Sequence, residues 1–570
     1  MLKGIYCSLV ILAGALGPSL RAADPGEPAN TQPMAAGLHG VTRAPGGPPL
    51  TSVKIVVHSV DEDTDHLAVS GDNGTFYVDN LKPGRYQLTA NQAGFETSPV
   101  TTVELAAQQS LNVEITLGPT VSSSCPACQM GFFQRLGRAY RQDWKGPTES
   151  GPDSPFRGYP APMSNPPWPF TVWPYGGSVV IGQPNSSSTP LMQALYSGPH
   201  GKAWQDSRIQ FYGWVNTGFN ISSSNKPGFA NAPAAYNQLP NSIQLDQATL
   251  YIERVPDSVQ KEHFDWGFRL TSLYGLDYRF TTSKGILSNQ LLGKNQKYGF
   301  DPVMAYVDLY FPKVADGLNV RIGRYISLPD IEAQLAPNNY TYSHSLTYTY
   351  DCYTQDGING TLKIGNHWMV QLGLSAGCDA APWTPDAKVT GNACLSYTWR
   401  NGQDNIYTCA NSINDGKYAY NNLAAYYATW YHKINSSWHI ATESWYQYER
   451  KTPSIFGNVP AQTNASGAWC APGEDRCFAP EWALLNYVEK QFSKKDYLSI
   501  RNEYFDDIKG QRTGTKSRYT EHLIGWAHWI GTTILVRPEV SFGRSYDNPA
   551  YDNGTKKNQL MFAGDVIWFY

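Results

Sequence analysis

Residues 265–280, DWGFRLTSLYGLDYRF, place Trp266, Phe268, Leu270, Tyr274, Leu276, Tyr278 and Phe280 on one side of an extended chain. Asp265, Gly267, Arg269, Thr271, Gly275, Asp277 and Arg279 fall on the other. So long a strand, apolar on one face and charged on the other, does not suit a small soluble sandwich, whose strands run about five or six residues. It suits a strand that crosses a bilayer in about ten residues and continues beyond it. The pattern recurs. TTILVRPEVSFGRS sets Ile534, Val536, Val540 and Phe542 against Arg537 and Glu539, although Pro538 weakens that strand. DYLSIRNEYF sets Leu498, Ile500 and Tyr504 against Ser499, Arg501 and Glu503; SSWHIATESWYQYE opposes Trp438 and Ile440 to His439 and Glu443; VMAYVDLYF opposes Val307 and Leu309 to Asp308. The faces of WALLNYVEKQF and EHLIGWAHWI stay ambiguous.

About fourteen such strands are expected, an even number as a closed single-chain barrel requires. Their centres fall near 215, 249, 272, 307, 322, 360, 371, 427, 443, 487, 501, 524, 538 and 565. Short turns such as Ile434-Asn435-Ser436 and Ser493-Lys494-Lys495 alternate with long polar stretches at 377–420 and 450–480, an asymmetry that fits short periplasmic turns and long outer loops. The closing run FAGDVIWFY puts Phe562, Val566, Trp568 and Tyr570 opposite Asp565, and pairing with a first strand near Phe211–Phe219 would leave no open edge. The expected fold class is all-β: a transmembrane antiparallel barrel preceded by a small β-sandwich.

Composition agrees. The 570 residues carry 37 Tyr and 17 Trp but only 16% charged residues, and aromatics collect where apolar surface meets water. A net charge of -3 gives no sign of a nucleic-acid partner. Residues 1–23 read as an export signal, with Lys3, an apolar run from Ile5 to Leu16 and small residues at Ala22 and Ala23. Beyond Cys7 eight cysteines remain, an even number that allows disulfides in an exported chain.

Residues 38–118 contain short strands punctuated by Asp72-Asn73-Gly74 and Lys82-Pro83-Gly84, leading into Phe76 and Val78 and into Tyr86, Leu88 and Ala90. That spacing predicts a sandwich of about seven strands. The set Gly40-Val41, Asp72-Asn73-Gly74-x-Phe76, Leu81-x-Pro83-Gly84-x-Tyr86 and Gly94-Phe95 resembles the carboxypeptidase regulatory-like domain. The resemblance implies a non-catalytic accessory module, with glycan contact as a weak further implication. Residues 119–207 are Pro, Gly and Ser rich and read as a linker. One stretch within it, GFFQRLGRAYRQDW, gathers Phe132, Phe133, Leu136 and Tyr140 on one helical face away from Arg135, Arg138 and Arg141. Packing on a neighbouring domain and an interfacial or pore-plugging role are both open for this helix.

The stretches FYGWVNTGFN, QLDQATLYIERVPD, GLNVRIGRYISLPDIEAQLAPNNYTYSHSLTYTY and FAGDVIWFY resemble the OmpL-like β-barrel porin family across 208–570. This implies a diffusion channel of a Gram-negative-type outer membrane without a cofactor. The implied partners are membrane lipid, the barrel assembly machinery, small hydrophilic solutes and two further copies in a homotrimer. This chain ends on Tyr570 where the simplest pattern has Phe. Strand parity, not the resemblance, nominates the pore-lining candidates Arg269, Arg279, Asp277, Asp308, Arg321, Arg501, Glu503, Arg537 and Glu539. Ion pairs that merely brace the wall are an equal alternative for each. Leu328–Tyr350 lacks strand alternation and carries Glu332, Asn338, Tyr342 and His344, the candidates for a loop that folds inward and narrows the channel; a plain outer loop is the competing reading.

Other chemistry finds little support. Asp61-Glu62-Asp63-Thr64-Asp65 has carboxylates two apart as in a calcium loop, but His66 stands where glycine is needed and Asp72 where the bidentate Glu belongs. Cys125 and Cys128 have redox spacing without a surrounding βαβ unit, and a local disulfide is expected there; Cys470 and Cys477 should pair, as should Cys352, Cys378, Cys394 and Cys409 in some combination. No metal ligand set, His-Glu-x-x-His, Gly-x-Ser-x-Gly or phosphate loop is present, so no enzyme is expected. The alternative function is a secreted or surface carbohydrate-binding protein built of β-sandwiches.

Overall fold

The computed structural model describes residues 36–118 apart from 45–48, 72–73, 93–94, 96 and 108, then 130–145, then 189–570 apart from 235, 259, 328–329, 366, 400–403, 436, 460–466 and 494. The signal segment, the tip of the Asp72-Asn73 turn, Cys125 with Cys128 and most of the linker lie outside these residues.

The N-terminal strands are β1 (Ala36–Arg43), β2 (Lys54–Ser59), β3 (Thr64–Val69), β4 (Thr75–Leu81), β5 (Gly84–Asn91), β6 (Thr101–Leu105) and β7 (Ser110–Thr116). They form two sheets, β4-β1-β7 and β3-β2-β5-β6. Alternation places Leu38, Ile55, Val57, Phe76, Val78, Tyr86 and Leu88 between the sheets.

The strands that follow are β8 (Gln210–Ser222), β9 (Ile243–Arg254), β10 (Asp265–Gly275), β11 (Gly299–Phe311), β12 (Leu318–Ile326), β13 (Thr354–Ile364), β14 (Trp368–Cys378) and β15 (Thr390–Trp399). Then come β16 (Asp404–Ile413), β17 (Ala424–Lys433), β18 (Trp438–Pro453), β19 (Arg476–Gln491), β20 (Asp496–Asp507), β21 (Ser517–Ile530), β22 (Ile534–Ser545) and β23 (Asn558–Phe569). They close into one antiparallel barrel, of sixteen strands among the described residues rather than about fourteen. The added pair, β15 and β16, lies inside the stretch expected as a polar loop. Inward Asn392, Cys394 and Ser396 alternate there with Ala393 and Leu395, and inward Asn405 and Cys409 with Ile406 and Thr408, a contrast too low for alternation to register. Cys394 faces Cys409 across the pair and is bonded to it; Cys352–Cys378 and Cys470–Cys477 are the other bridges. A second departure is at β10, which stops at Gly275. Leu276 and Tyr278 are buried rather than outward, and Tyr278–Thr281 is a helical turn.

Pro538 sits in β22 opposite Gly564 of β23. Towards β21 the register passes from Gly525 opposite Glu539 to His528 opposite Val536 with no pair at Pro538, as befits a residue without an N–H. The barrel closes where β23 meets β8, with Asp565 opposite Gly218 and Phe569 opposite Trp214. The Tyr570 and Gly213 backbones exchange hydrogen bonds at 3.0 and 3.2 Å, and the Tyr570 hydroxyl donates to Thr249 O of β9 at 2.8 Å. Only glycine fits at 213: a Cβ there would stand 2.6 Å from the Tyr570 hydroxyl.

The outer wall is apolar, with Leu250, Leu270, Val307, Ile322, Leu372, Leu484, Ile524, Val540 and Val566 exposed. Aromatics band its two ends: Trp266, Trp368, Trp430 and Trp568 near the short turns, Tyr274, Phe300, Tyr426 and Phe542 near the long loops. Inside, the ambiguous strands resolve to Glu481, Leu485, Tyr487 and Glu489 on β19 and to Glu521, Leu523, Ala527 and Trp529 on β21.

Helices α1 (Phe132–Lys145), α2 (Pro190–Tyr196) and α3 (Gly201–Ser207) lie at the short-turn end. Of the apolar face expected on α1, only Tyr140 is fully buried, and Phe133 stays exposed. The helix packs on the barrel rim. The Tyr140 hydroxyl donates to Phe569 O at 2.9 Å, Trp144 Nε1 to Thr533 Oγ1 at 3.0 Å, and Asp143 accepts from Thr532 N, Thr532 Oγ1 and Thr533 Oγ1 at 2.7–2.9 Å. The sandwich reaches the same end, where the Tyr77 hydroxyl donates to Glu262 Oε1 at 3.1 Å in the β9–β10 turn.

Candidate functional site: a loop clamped inside the barrel

Between β12 and β13, residues 330–353 do not project from the rim. Residues 330–349 are buried, folded against the inner wall. A stretch carrying so many backbone polar groups can be buried only if they find partners, and the wall's charged side chains supply them. Glu503 of β20 accepts from Leu346 N at 3.0 Å and from Thr347 N and Thr347 Oγ1. Glu539 of β22 accepts from Tyr342 N at 3.0 Å and Ser343 N at 3.2 Å. Arg537 donates to Ala336 O at 2.9 Å and Asn339 O at 2.8 Å while its other nitrogens hold Asp565. Glu443 of β18 accepts from Ile331 N at 2.8 Å.

Arg501 is at the centre and wholly buried. It donates to Ser343 O at 2.6 Å and Ser343 Oγ at 3.0 Å and pairs with Glu332 of the loop at 3.3 Å and with Glu521 of the wall. Glu332 in turn accepts from Ser345 N at 2.9 Å, Ser345 Oγ at 2.8 Å and the Tyr487 hydroxyl. His344 stacks on Tyr236 with ring centres 3.6 Å apart, and its Nε2 donates to Ala333 O at 2.7 Å. Burial pushes its pKa down to about 3, so the ring is neutral. The Tyr342 hydroxyl accepts from Gln244 Nε2 at 3.1 Å, and Asn338 closes the 3₁₀ turn Ala336–Asn338.

The other sequence candidates stand on a different part of the wall. Arg321 and Asp308 form a two-pronged pair at 2.9 and 3.0 Å, Arg269 pairs with Glu253 at 2.6 Å, and Tyr306 lies between the two guanidinium groups, 4.0 Å from one and 5.9 Å from the other. These brace neighbouring strands. Asp277 lies just past the end of β10, where it accepts from Gln247 Nε2 at 2.9 Å. Arg279 is not on the wall: it follows the end of β10, donates to Gln296 O and Asn295 Oδ1, and sits over Phe229. Glu253, Glu521 and the Asp301–Arg324 pair were not among the candidates; parity along IQLDQATLYIER would have found Glu253.

A closed barrel with an apolar exterior banded by aromatics, a charged interior and a loop bound within it defines a porin-type channel of the outer membrane. The chain belongs to the family described as "Putative beta-barrel porin-2, OmpL-like", whose sequence profile matches residues 208–569, and a carboxypeptidase regulatory-like domain matches residues 37–118. No curated protein sequence matches it. In structure it is similar to the outer membrane channel DcaP of Acinetobacter baumannii (9% identity, 64% of this chain, 97% of that one, TM-score 0.41). It is also similar to the anion-selective porin from Comamonas acidovorans (9%, 64%, 99%, 0.41) and to OmpT of Vibrio cholerae in its trimer form (10%, 64%, 99%, 0.39).

Proposed function

We propose that the protein lets small hydrophilic solutes or ions diffuse passively across the outer membrane, past a constriction formed by residues 330–353. The observation that carries this reading is the attachment of that loop to Glu443, Arg501, Glu503, Arg537 and Glu539, five inward side chains of β18, β20 and β22. A segment merely tucked away needs no such set of charged anchors, whereas a constriction must hold its shape against solute flow. Wall carboxylates and arginines satisfied by the loop add little net field, so selection in this account rests on size and hydrogen bonding more than on charge. The closed apolar exterior disfavours a secreted carbohydrate-binding protein. Homotrimer assembly forms part of the proposal, read by cross-linking in detergent. Purified full-length protein in planar bilayers tests the function: stepwise conductance is expected, and a detergent-free soluble monomer without conductance would sink the idea.

A further inference from the structure

The two ends of the inward loop carry acids that face the same wall residue. Asp330 follows β12, Asp351 precedes β13, and Glu443 projects inward from β18. One carboxylate oxygen of each lies within 4.8 Å of the others. All three residues are buried, at 4%, 0% and 1% exposure. Among the described residues, no amide, hydroxyl or cationic donor reaches Asp351 or Glu443 Oε1, and the hydrogen-bonding neighbour of Asp351 is the Asp330 carboxyl itself. The strongest of the charged groups that act on the cluster from nearby elements are acidic, Asp379, Glu332 and Glu503, while Arg512 reaches the neighbouring Tyr350 O. Tyr427 of β17, 4% exposed, stands beside the cluster: its hydroxyl interacts most strongly with these three carboxylates and also with Asn411.

Gathering three buried carboxylates is costly, and the acceptors of Asp351 and Glu443 that no donor reaches mark where a positive charge belongs. We propose that Asp330, Asp351 and Glu443 bind a single calcium ion, which fastens both ends of the constriction loop to the wall. Calcium takes oxygens at about 2.3–2.6 Å, so two oxygens on opposite sides of one ion stand about 4.6–5.2 Å apart, and the observed spacing fits inside that limit. Magnesium is disfavoured, because it sheds water reluctantly and this site is closed to solvent. Glu443 can keep its hydrogen bond from Ile331 N through Oε2 and ligate through Oε1, so binding adds to the loop's anchorage without displacing any of it.

The test uses full-length protein in detergent, stripped with chelator and titrated calorimetrically with calcium chloride and, separately, magnesium chloride. One calcium per chain is expected, with magnesium binding weaker by roughly tenfold or more. Asp351→Asn and Glu443→Gln are each expected to weaken calcium by a similar factor, while heat-modifiable gel mobility shows whether each variant still forms the barrel. Asp63→Asn with Asp65→Asn, in the acidic turn of the sandwich, controls for a surface site and should leave the stoichiometry unchanged. The proposal is overturned by absence of calcium binding at millimolar concentration, by unchanged affinity in a folded Asp351 or Glu443 variant, or by loss of the site in the Asp63/Asp65 variant. If Asp351→Asn does not fold, Glu443→Gln decides, since the amide keeps the Ile331 contact.

Discussion

Replacing Arg501 by methionine keeps a long side chain but removes the cation from the middle of the loop's anchorage. Ser343 Oγ loses its donor, Ser343 O keeps only Thr341 Oγ1, and Glu332 and Glu521 lose their counter-charge. Breaking a buried ion pair costs about 3–5 kcal/mol and each lost neutral hydrogen bond about 0.5–1.5, so roughly 4–8 kcal/mol falls on the docked loop. Swinging residues 341–345 away from the wall, at the expense of the Glu539 contacts to Tyr342 N and Ser343 N, lets water reach both carboxylates and recovers part of that cost. At 1.4 kcal/mol per decade the docked-to-released ratio falls by about three to six orders of magnitude before this relief. The remaining anchors at Arg537, Glu443 and Glu503 hold the loop's flanks, so release is local. The expected result is a larger and noisier single-channel conductance, together with new protease cleavage between Tyr340 and Leu346, in a barrel that still shows heat-modifiable mobility. Arg321→Met serves as the control: its partner Asp308 lies on the wall, and it should leave cleavage and noise alone. A folded Arg501→Met barrel with unchanged conductance and no new cleavage would refute the clamp.

Replacing Arg321 and Asp308 together by Met and Leu removes a brace without stranding a charge; it should change the thermal transition of the barrel less than either single substitution and leave the reversal potential near the parent's. A large shift in reversal potential would return that pair to the role of ion selector. Deleting Trp568–Tyr570 removes the pairs to Val215 and Trp214 and the Tyr570 contacts, leaving unpaired edge groups in lipid, each costing several kcal/mol; the truncated chain should fail to accumulate in the outer membrane, as immunoblots of membrane fractions would show. His344 is held neutral with its pKa lowered to about 3, against about 6.5 when released, so the released loop takes up the proton first. The contribution of His344 to docking is therefore full above pH 6.5 and declines as pH falls from there towards 3, by at most about 1.4 kcal/mol per unit. The protease-resistance profile of His344→Gln should be flatter between pH 6.5 and 4.5, and equal slopes in variant and parent would contradict this account.

Much of the barrel is legible in the sequence because lipid outside and water or charge inside force a two-residue period. Trp266, Leu270 and Tyr274 against Arg269, or Val566 and Trp568 against Asp565, leave little choice of face. Where both faces carry small or neutral side chains, as at Asn392–Ser396 and Asn405–Asn411, the period survives in the backbone but not in polarity, and two strands escape. Alternation also carries on past the point where β10 ends, which is how Arg279 came to be placed on the wall. The inward residues Arg501, Glu503, Arg537 and Glu539 are legible as facing the interior, yet nothing in their own strands says that their partners are backbone groups some 160–200 residues earlier. That depends on how one loop folds in three dimensions, which local periodicity does not encode. Asp330 and Asp351 are invisible for the same reason: their neighbour Glu443 is remote in sequence.

The Tyr140 hydroxyl rests on Phe569 O, so a helix encoded ahead of the barrel touches the strand that completes it. Asp143 and Trp144 grip the β21–β22 turn, which is ordered only once those late strands are in place. The contact is thus one of timing as well as position. Whatever the order in which strands insert, the full docking surface of α1 exists only when β21, β22 and β23 are in place. A docked α1 is thus a readout of a barrel whose last strands have paired.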